Sequence, residues 1–186
     1  MEELKFSLSF KLMDLAFKIR DFFSPRINVL EEAGIGPGDT VLDFGCGPGS
    51  YILALSSLIG NSGKIFALDV NPLAIKSVQD VVSKNRLKNV KTIHSNCETG
   101  LPDQSVDVIL LYDTYHDLKK PVLVLQEFDR ILKKEGVLSF SDHHMKDTDI
   151  REKFLNNNLF RLIKKNKKTY TFSKNIQLSE DKAISI

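Results

Sequence analysis

Tryptophan is absent from this 186-residue chain, and cysteine occurs only twice, at Cys46 and Cys97. Two cysteines cannot staple a disulfide scaffold. Charge of one sign is missing too. Lys and Arg total 26 against 24 Asp and Glu, a formal +2, so no global basic field draws nucleic acid. No long apolar run is present. The longest, 106–112, is interrupted by Asp107 and falls far short of the ~20 apolar residues that cross a bilayer. The first eleven residues carry Glu2, Glu3, Lys5 and Lys11, which is not the pattern of a secretory leader. A cytoplasmic protein is the expectation. With 42% hydrophobic and 27% charged residues, the mix is that of a globular domain, and the length suits one domain rather than two.

What is present is alternation. Short apolar runs at 40–44, 64–69, 91–95, 106–112 and 137–141 read as strands. Helical stretches near 50–59, 72–85 and 121–133 lie between them. Strand–helix–strand repeats of this length imply a mostly parallel sheet covered on both faces. The strands read as apolar rather than alternating, as parallel strands buried on both sides should. Asn71-Pro72 reads as a helix cap followed by proline at the first helical position. Gly60-Asn61-Ser62-Gly63 and Glu135-Gly136 read as turns after helices. Near the end, 159–165 and 168–173 flank Asn166-Lys167 as a β-hairpin. At the start, Leu8, Leu12, Leu15, Ile19 and Phe22 share one helical face, and Phe6, Phe10, Met13 and Phe17 share roughly the opposite one. The second face is either wedged within the domain or lines a pocket or a homodimer contact.

The segment VLDFGCGPGS, residues 41–50, ends the first strand and opens a helix. Its glycines, Gly45, Gly47 and Gly49, permit a tight turn that brings backbone N–H groups against a ligand. The spacing is G-x-G-x-G. A dinucleotide fingerprint would need a further glycine where Ser50 stands, and a phosphate-binding loop would need Gly-Lys-Ser or Gly-Lys-Thr. Twenty positions beyond Gly49, Asp69 ends the second strand, where an acidic side chain can accept both hydroxyls of a ribose.

Taken with Asn96-Cys97-Glu98 after the third strand, the run 101–109 (LPDQSVDVI) and the run 127–136 (EFDRILKKEG), these residues resemble a class I S-adenosylmethionine-dependent methyltransferase. Within that class the chain is similar to the small-molecule, ubiquinone/menaquinone C-methylase-like type 11 group. The resemblance spans residues 30–145. It implies a three-layer Rossmann-like α/β sandwich with a seven-stranded, mostly parallel sheet and a C-terminal antiparallel hairpin. The single domain would divide into an N-terminal helical cap (1–28), a cofactor core (29–145), a helix and hairpin (146–175) and a tail (176–186).

The resemblance also implies roles. Gly45, Cys46, Gly47 and Gly49 would wrap the methionine part of S-adenosylmethionine, with Asp43 orienting its amino group. Asp69 would hold the ribose and Val70 would pack on the adenine. Asn96, Cys97 and Glu98 would flank the base, and Tyr112 and Asp113 would sit beside the transferred methyl. The in-line displacement needs alignment and exclusion of water, and a base only if the nucleophile carries a proton.

Two polar clusters fall beyond the strand ends, at 113–117 and 142–144. His116 is the candidate general base, with Tyr115 and Asp113 beside it; the plain alternative is that His116 packs on its loop. Asp113 with Asp142 and His143 have donor types that suit magnesium or zinc, but the set is incomplete and no metal is expected. His94 reads as structural, in or beside a buried strand. The chain lacks the Asn/Asp-Pro-Pro-Tyr run of amino-methylating nucleic-acid enzymes. The expected acceptor is therefore a small, partly apolar molecule. The lysines at 164, 165, 167 and 168 keep an RNA- or protein-directed enzyme as the alternative. A non-catalytic S-adenosylmethionine-binding regulatory partner is the reading from another class.

Overall fold

Strand order follows from where the apolar runs can pair. The computed structural model describes residues 12, 26–155 and 158–175. The two apolar faces read at residues 6–22 lie outside these residues, apart from Leu12, and so does the tail. The elements are α1 (Ile27–Glu32), β1 (Thr40–Phe44), α2 (Ile52–Ile59), β2 (Lys64–Asp69), α3 (Pro72–Asn85), β3 (Val90–His94), β4 (Val106–Tyr112), a 3₁₀ turn (Tyr115–Asp117), α4 (Pro121–Ile131), β5 (Leu132–Ser141), α5 (Asp147–Leu155), β6 (Phe160–Lys165) and β7 (Tyr170–Lys174). They form one seven-stranded sheet, ordered β3-β2-β1-β4-β5-β7-β6. The first five strands are parallel, and β7 and β6 are antiparallel.

Two apolar clusters cover the sheet. Leu42, Phe44, Ile109 and Leu111 meet Val124, Leu125 and Phe128 of α4 and Phe154 of α5. Their neighbours along the strands point the other way, so Val41, Val108 and Leu110 meet Leu30 of α1, Ile52 and Leu55 of α2 and Val78 of α3. The two-residue repeat of a strand thus divides each central strand between two helical layers.

The expected caps form. The Asn71 side chain accepts the Leu73 N–H at 2.9 Å, with Pro72 opening α3. The expected turn at Glu135-Gly136 does not form. The residue after α4, Leu132, is already extended, with ψ 134°, so helix runs into strand without a loop. The pairing jumps from Val106↔Leu132 to Val108↔Val137, and residues 133–136 are absorbed as a bulge. Gly136 suits that bulge, because a Cβ would stand 2.9 Å from the Asp107 carbonyl oxygen. His94 ends the edge strand β3 and is exposed rather than buried; its Nε2 meets the Val70 carbonyl at 2.9 Å.

The connection reverses direction at β1, which has β2 on one side and β4 on the other. Crevices in open α/β sheets form at the carboxyl ends of strands at such a switch point.

Candidate active site

The glycine turn leaves β1 at that switch point. Gly45, Gly47 and Gly49 all have positive φ, at 79°, 52° and 91°, a region costly for other residues. At Gly45 space is short as well: a Cβ would lie 2.2 Å from the Thr114 hydroxyl oxygen. The Gly45 and Cys46 N–H groups both donate to the Leu68 carbonyl, at 2.8 and 3.0 Å.

Asp69 braces the same turn. Its Oδ2 accepts the Gly47 N–H at 2.9 Å and its Oδ1 accepts the Asn71 N–H at 2.8 Å. Each carboxylate oxygen retains acceptor capacity after one such bond.

Asp43 is buried, with 2% of its surface exposed. Its Oδ2 has no hydrogen-bond partner among the described residues. Burial, reinforced by the negative charge of Asp69, pushes the Asp43 carboxyl up to about 7. Burial and the same two carboxylates raise the Cys46 thiol, and burial raises the Cys97 thiol. Neither cysteine is therefore poised as a thiolate nucleophile.

A cavity of about 770 Å³ opens beside these residues. Gly45, Cys46, Gly47 and Asp69 form one wall. Val70, Asn96, Cys97 and Glu98 continue it, and Tyr112 and Asp113 close it at the end of β4. Val70 is 65% exposed, presenting an apolar side chain to the opening. The Tyr112 hydroxyl meets the Ser139 hydroxyl at 2.7 Å. Burial raises the Tyr112 phenol despite that hydrogen bond, so it stays protonated. Gly49 does not line the cavity; a Cβ there would stand 3.1 Å from the Val78 side chain.

The residues expected to carry chemistry separate. Tyr115 does not line the cavity. It is buried among Phe140 and Phe154, with ring centroids at 5.8 and 5.3 Å, because the 3₁₀ turn points it into the core. That corrects the expectation that it takes part in the chemistry beside His116. His116, on the same turn, does not line the cavity either, so of the three residues expected to carry chemistry only Asp113 does. The Nδ1 of His116 lies 2.9 Å from Asp142 Oδ2 and 3.0 Å from Oδ1. Its backbone N–H donates to Asp142 as well, at 3.1 Å. His143 makes the matching contact with Asp113, at 2.7 Å from Nδ1 and 3.0 Å from its backbone N–H. The His144 ring lies between them, 4.2 Å from His116 and 3.9 Å from His143. Among the described residues, no group of three or more His, Cys, Asp or Glu is arranged to hold a metal ion.

Two contributors escape sequence reasoning. Tyr51, just before α2, lines the cavity with its ring 5.3 Å from Tyr112 and the Arg26 guanidinium 5.7 Å above it. An aromatic directly after a glycine turn is the available signal. The other is Glu127, which accepts the Thr99 N–H at 2.9 Å and both donors of Arg130 at 2.8 Å. Arg130 also reaches Asp103 at 2.6 Å. The E-x-x-R pair of α4 therefore fixes the loop that follows Asn96, Cys97 and Glu98.

Comparison with known proteins bears on this arrangement. Residues 35–183 match the family described as Methyltransferase domain. The chain belongs to the class I S-adenosylmethionine-dependent methyltransferases. The crystal structure of a SAM dependent methyltransferase from Aquifex aeolicus is similar, with a TM-score of 0.69 at 29% identity over 84% of this chain and 95% of that one. Demethylmenaquinone methyltransferase of Geobacillus stearothermophilus is 27% identical over 132 residues, 70% of this chain and 56% of that protein. Ribosomal protein L11 methyltransferase of Carboxydothermus hydrogenoformans is 40% identical over 76 residues, 41% of this chain and 24% of that protein. This methyltransferase-family chain spans about half the length of the demethylmenaquinone relatives it matches. No helix among the described residues is long and apolar enough to cross a membrane.

Proposed function

We propose that this chain transfers a methyl group from S-adenosylmethionine to a small, partly apolar acceptor by in-line displacement. The observation that carries the reading is the Asp69-braced glycine turn lining the switch-point cavity; one residue before the cavity-lining Phe44, the buried Asp43 oxygen without a partner among the described residues supports it. These residues fit the cofactor. An ammonium group suits a buried carboxylate without a partner, the strained glycines leave backbone rather than side chain at the cavity wall, and the free lone pairs of Asp69 suit ribose hydroxyls. S-Adenosylmethionine, when bound, supplies an electrophilic methyl on a positive sulfur.

The chain's own residues orient and enclose. Asp43 and Asp69 anchor two ends of the ligand, and Val70, Asn96, Cys97 and Glu98 flank the base. Tyr112, held by Ser139 and packed on Tyr51, forms a rigid wall beside the reacting atoms and excludes water. Leu118, Leu123 and Val124 add apolar surface to the cavity, beside Lys119 and Lys120. That lining and the similarity to demethylmenaquinone methyltransferases both support an apolar acceptor.

An RNA- or protein-directed reading is favoured by one feature. Tyr170 of β7 pairs with Phe140 of β5 and with Lys165 of β6, so the exposed Lys167 and Lys168 lie beyond the carboxyl end of β5, the end of the sheet at which the cavity opens. Incubation with radiolabelled S-adenosylmethionine and fractionated cell extract tests both readings. Label in the small-molecule pool is expected. Label confined to RNA or protein would replace the acceptor assignment, and no label in any pool would overturn methyl transfer.

A further inference from the structure

Two lysines line the cavity without a partner. Lys119 and Lys120 stand between the 3₁₀ turn and α4, and both belong to the cavity wall. Among the described residues, neither ammonium group makes a hydrogen bond or an ion pair. Among the same residues, they are also the only cations that line the cavity. Their backbone is held on both sides. The Leu118 N–H donates to the Tyr115 carbonyl at 3.1 Å, and the Leu118 side chain packs on the core. Pro121 then opens α4, which restricts the residue before it, and Val124 is buried one turn later.

The carboxylates of the cavity are placed elsewhere. Asp69 accepts the Gly47 and Asn71 N–H groups. Asp113 holds His143 at 2.7 Å, and Asp117 lies 3.5 Å from His116 Nε2. Neither these nor Glu98 comes within ion-pair distance of either lysine. Two ammonium groups on consecutive residues repel one another, and an anion beside them relieves the repulsion. S-Adenosylmethionine has one anion, the carboxylate of its methionine part. Lys120 lies toward the other end. Burial, then Glu127 and Glu98, raise the Cys97 thiol, and Lys120 is the group that opposes them; Cys97 flanks the base in the reading above. Adenine and the ribose hydroxyls carry no charge, so the cofactor leaves both lysines unanswered. The same loop lines the cavity from Asp113 and Thr114, just past β4, to Leu118, Lys119 and Lys120. A second ligand lying along it meets the reacting end and the lysines together.

We infer that Lys119 and Lys120 bind a negative group on the acceptor, so that the molecule methylated is a small apolar acid. Its carboxylate or phosphate sits at the lysines, its apolar body lies on Leu118, Leu123 and Val124, and its methylated atom points toward Asp113. This rests on the methyl-transfer reading above. An ammonium is a point charge with three donors and lacks the fixed fork of a guanidinium. The pair therefore selects for charge and accepts either anion. A neutral analogue fills the apolar surface but leaves the two charges unpaired, which is how the site discriminates. A nucleic-acid backbone presents a row of phosphates and is met by a row of cations. Two cations beside leucine and valine in a cavity fit a single anionic group.

The first arm of the test needs no methyl transfer. The whole chain, alone and with S-adenosylhomocysteine, is titrated with phenylbutyrate and with phenylbutanol, its uncharged counterpart, while NMR follows the Leu118 and Leu123 amides. Saturable shifts are expected with phenylbutyrate. Binding should be at least about fivefold weaker for phenylbutanol, and for phenylbutyrate on the Lys119→Gln/Lys120→Gln variant. Added salt should shrink the difference. Equal binding of acid and alcohol, or no binding of either, overturns the anion site whether or not transfer occurs. S-Adenosylhomocysteine should bind the double variant within about twofold of wild type. A loss of about tenfold or more would give the lysines to the cofactor's own carboxylate and overturn the acceptor role. In the second arm the labelled product from extract is passed over an anion exchanger. Retention is expected, and phosphatase treatment abolishes it for a phosphate but not for a carboxylate. An unretained small product overturns the acid while leaving methyl transfer intact, and label found only in RNA overturns the small acceptor. Against the labelled fraction, the double variant should raise KM about tenfold or more with kcat little changed. Lys119→Arg/Lys120→Arg, which keeps both charges, should recover most of it. An unchanged KM in the Gln variant would overturn the proposal.

Discussion

The Asp69 carboxylate accepts the Gly47 N–H at 2.9 Å, tying the end of β2 to the middle of the glycine turn that follows β1. One side chain thus shapes the turn and faces the cavity. Sequence spacing alone assigns Asp69 to a ligand; the hydrogen bond adds a second function that operates before any ligand arrives.

That double role predicts a local effect. In Asp69→Ala the Gly47 and Asn71 N–H groups lose their acceptor. Amide hydrogen exchange at both positions should speed up at least about tenfold, the equivalent of a hydrogen bond of about 1.4 kcal/mol. Exchange at Leu55, in the middle of α2, should hold. Unchanged exchange at Gly47 would mean the brace is not formed.

Asp43 sets binding against stability. Folded, its carboxyl is held at about 7 against an ordinary 3.8. Between those values the folded state keeps a proton that the unfolded chain releases, so the group costs stability as pH rises from about 4, and the cost levels off above about 7. Asp43→Asn removes that cost but buries an amide, itself a penalty of about 1–3 kcal/mol. The variant should be about 1–2 kcal/mol more stable than wild type at pH 8. At pH 4 that advantage should disappear. Denaturant melts at the two pH values check this, and the same variant should bind S-adenosylmethionine more weakly.

Gly45→Ala meets both a positive φ and the Thr114 side chain. A loss of about 2–4 kcal/mol is expected from strain and overlap together. Thr114→Gly removes the overlapping atoms, so Gly45→Ala should cost measurably less in the Thr114→Gly background. Strict additivity in that double-mutant cycle would contradict the close approach.

Glu127 is held below the usual carboxylate range: burial opposes this, but the hydrogen bonds from Arg130 and Thr99 outweigh it. Its contribution to stability is therefore present above about pH 4.5 and lost as pH falls through its lowered folded value. Glu127→Ala leaves the Thr99 N–H without its acceptor, and Thr99 is buried. A destabilisation of about 1–3 kcal/mol at pH 7 is expected, shrinking as pH falls below 4. Chemical denaturation across that range measures it.

Much of this was legible in residue order because local signals and the global fold agree. Apolar strands, Asn71-Pro72 and the G-x-G-x-G turn each respond to a short-range constraint, and the sheet places them as expected. Glu135-Gly136 misled because a glycine in a bulge carries the same local signature as a glycine in a turn. Tyr115 misled because neighbours in a 3₁₀ turn point in different directions: Tyr115 goes into the core and His116 away from it. The Asp–His pairs were half legible: the sequence groups the residues beyond the ends of β4 and β5 but not the partners. They join residues 26 and 30 positions apart, and only the adjacency of β4 and β5 selects which carboxylate meets which imidazole.

Asp69 and Asp43 are the two anchors of the proposed S-adenosylmethionine site. Isothermal titration of the whole chain with S-adenosylhomocysteine, wild type beside Asp69→Ala, tests it most directly. Saturable one-to-one binding by wild type is expected, with at least about tenfold weaker binding by the variant, a loss of about 1.4 kcal/mol or more. No binding by the folded wild type, or equal binding by a folded Asp69→Ala, would contradict it.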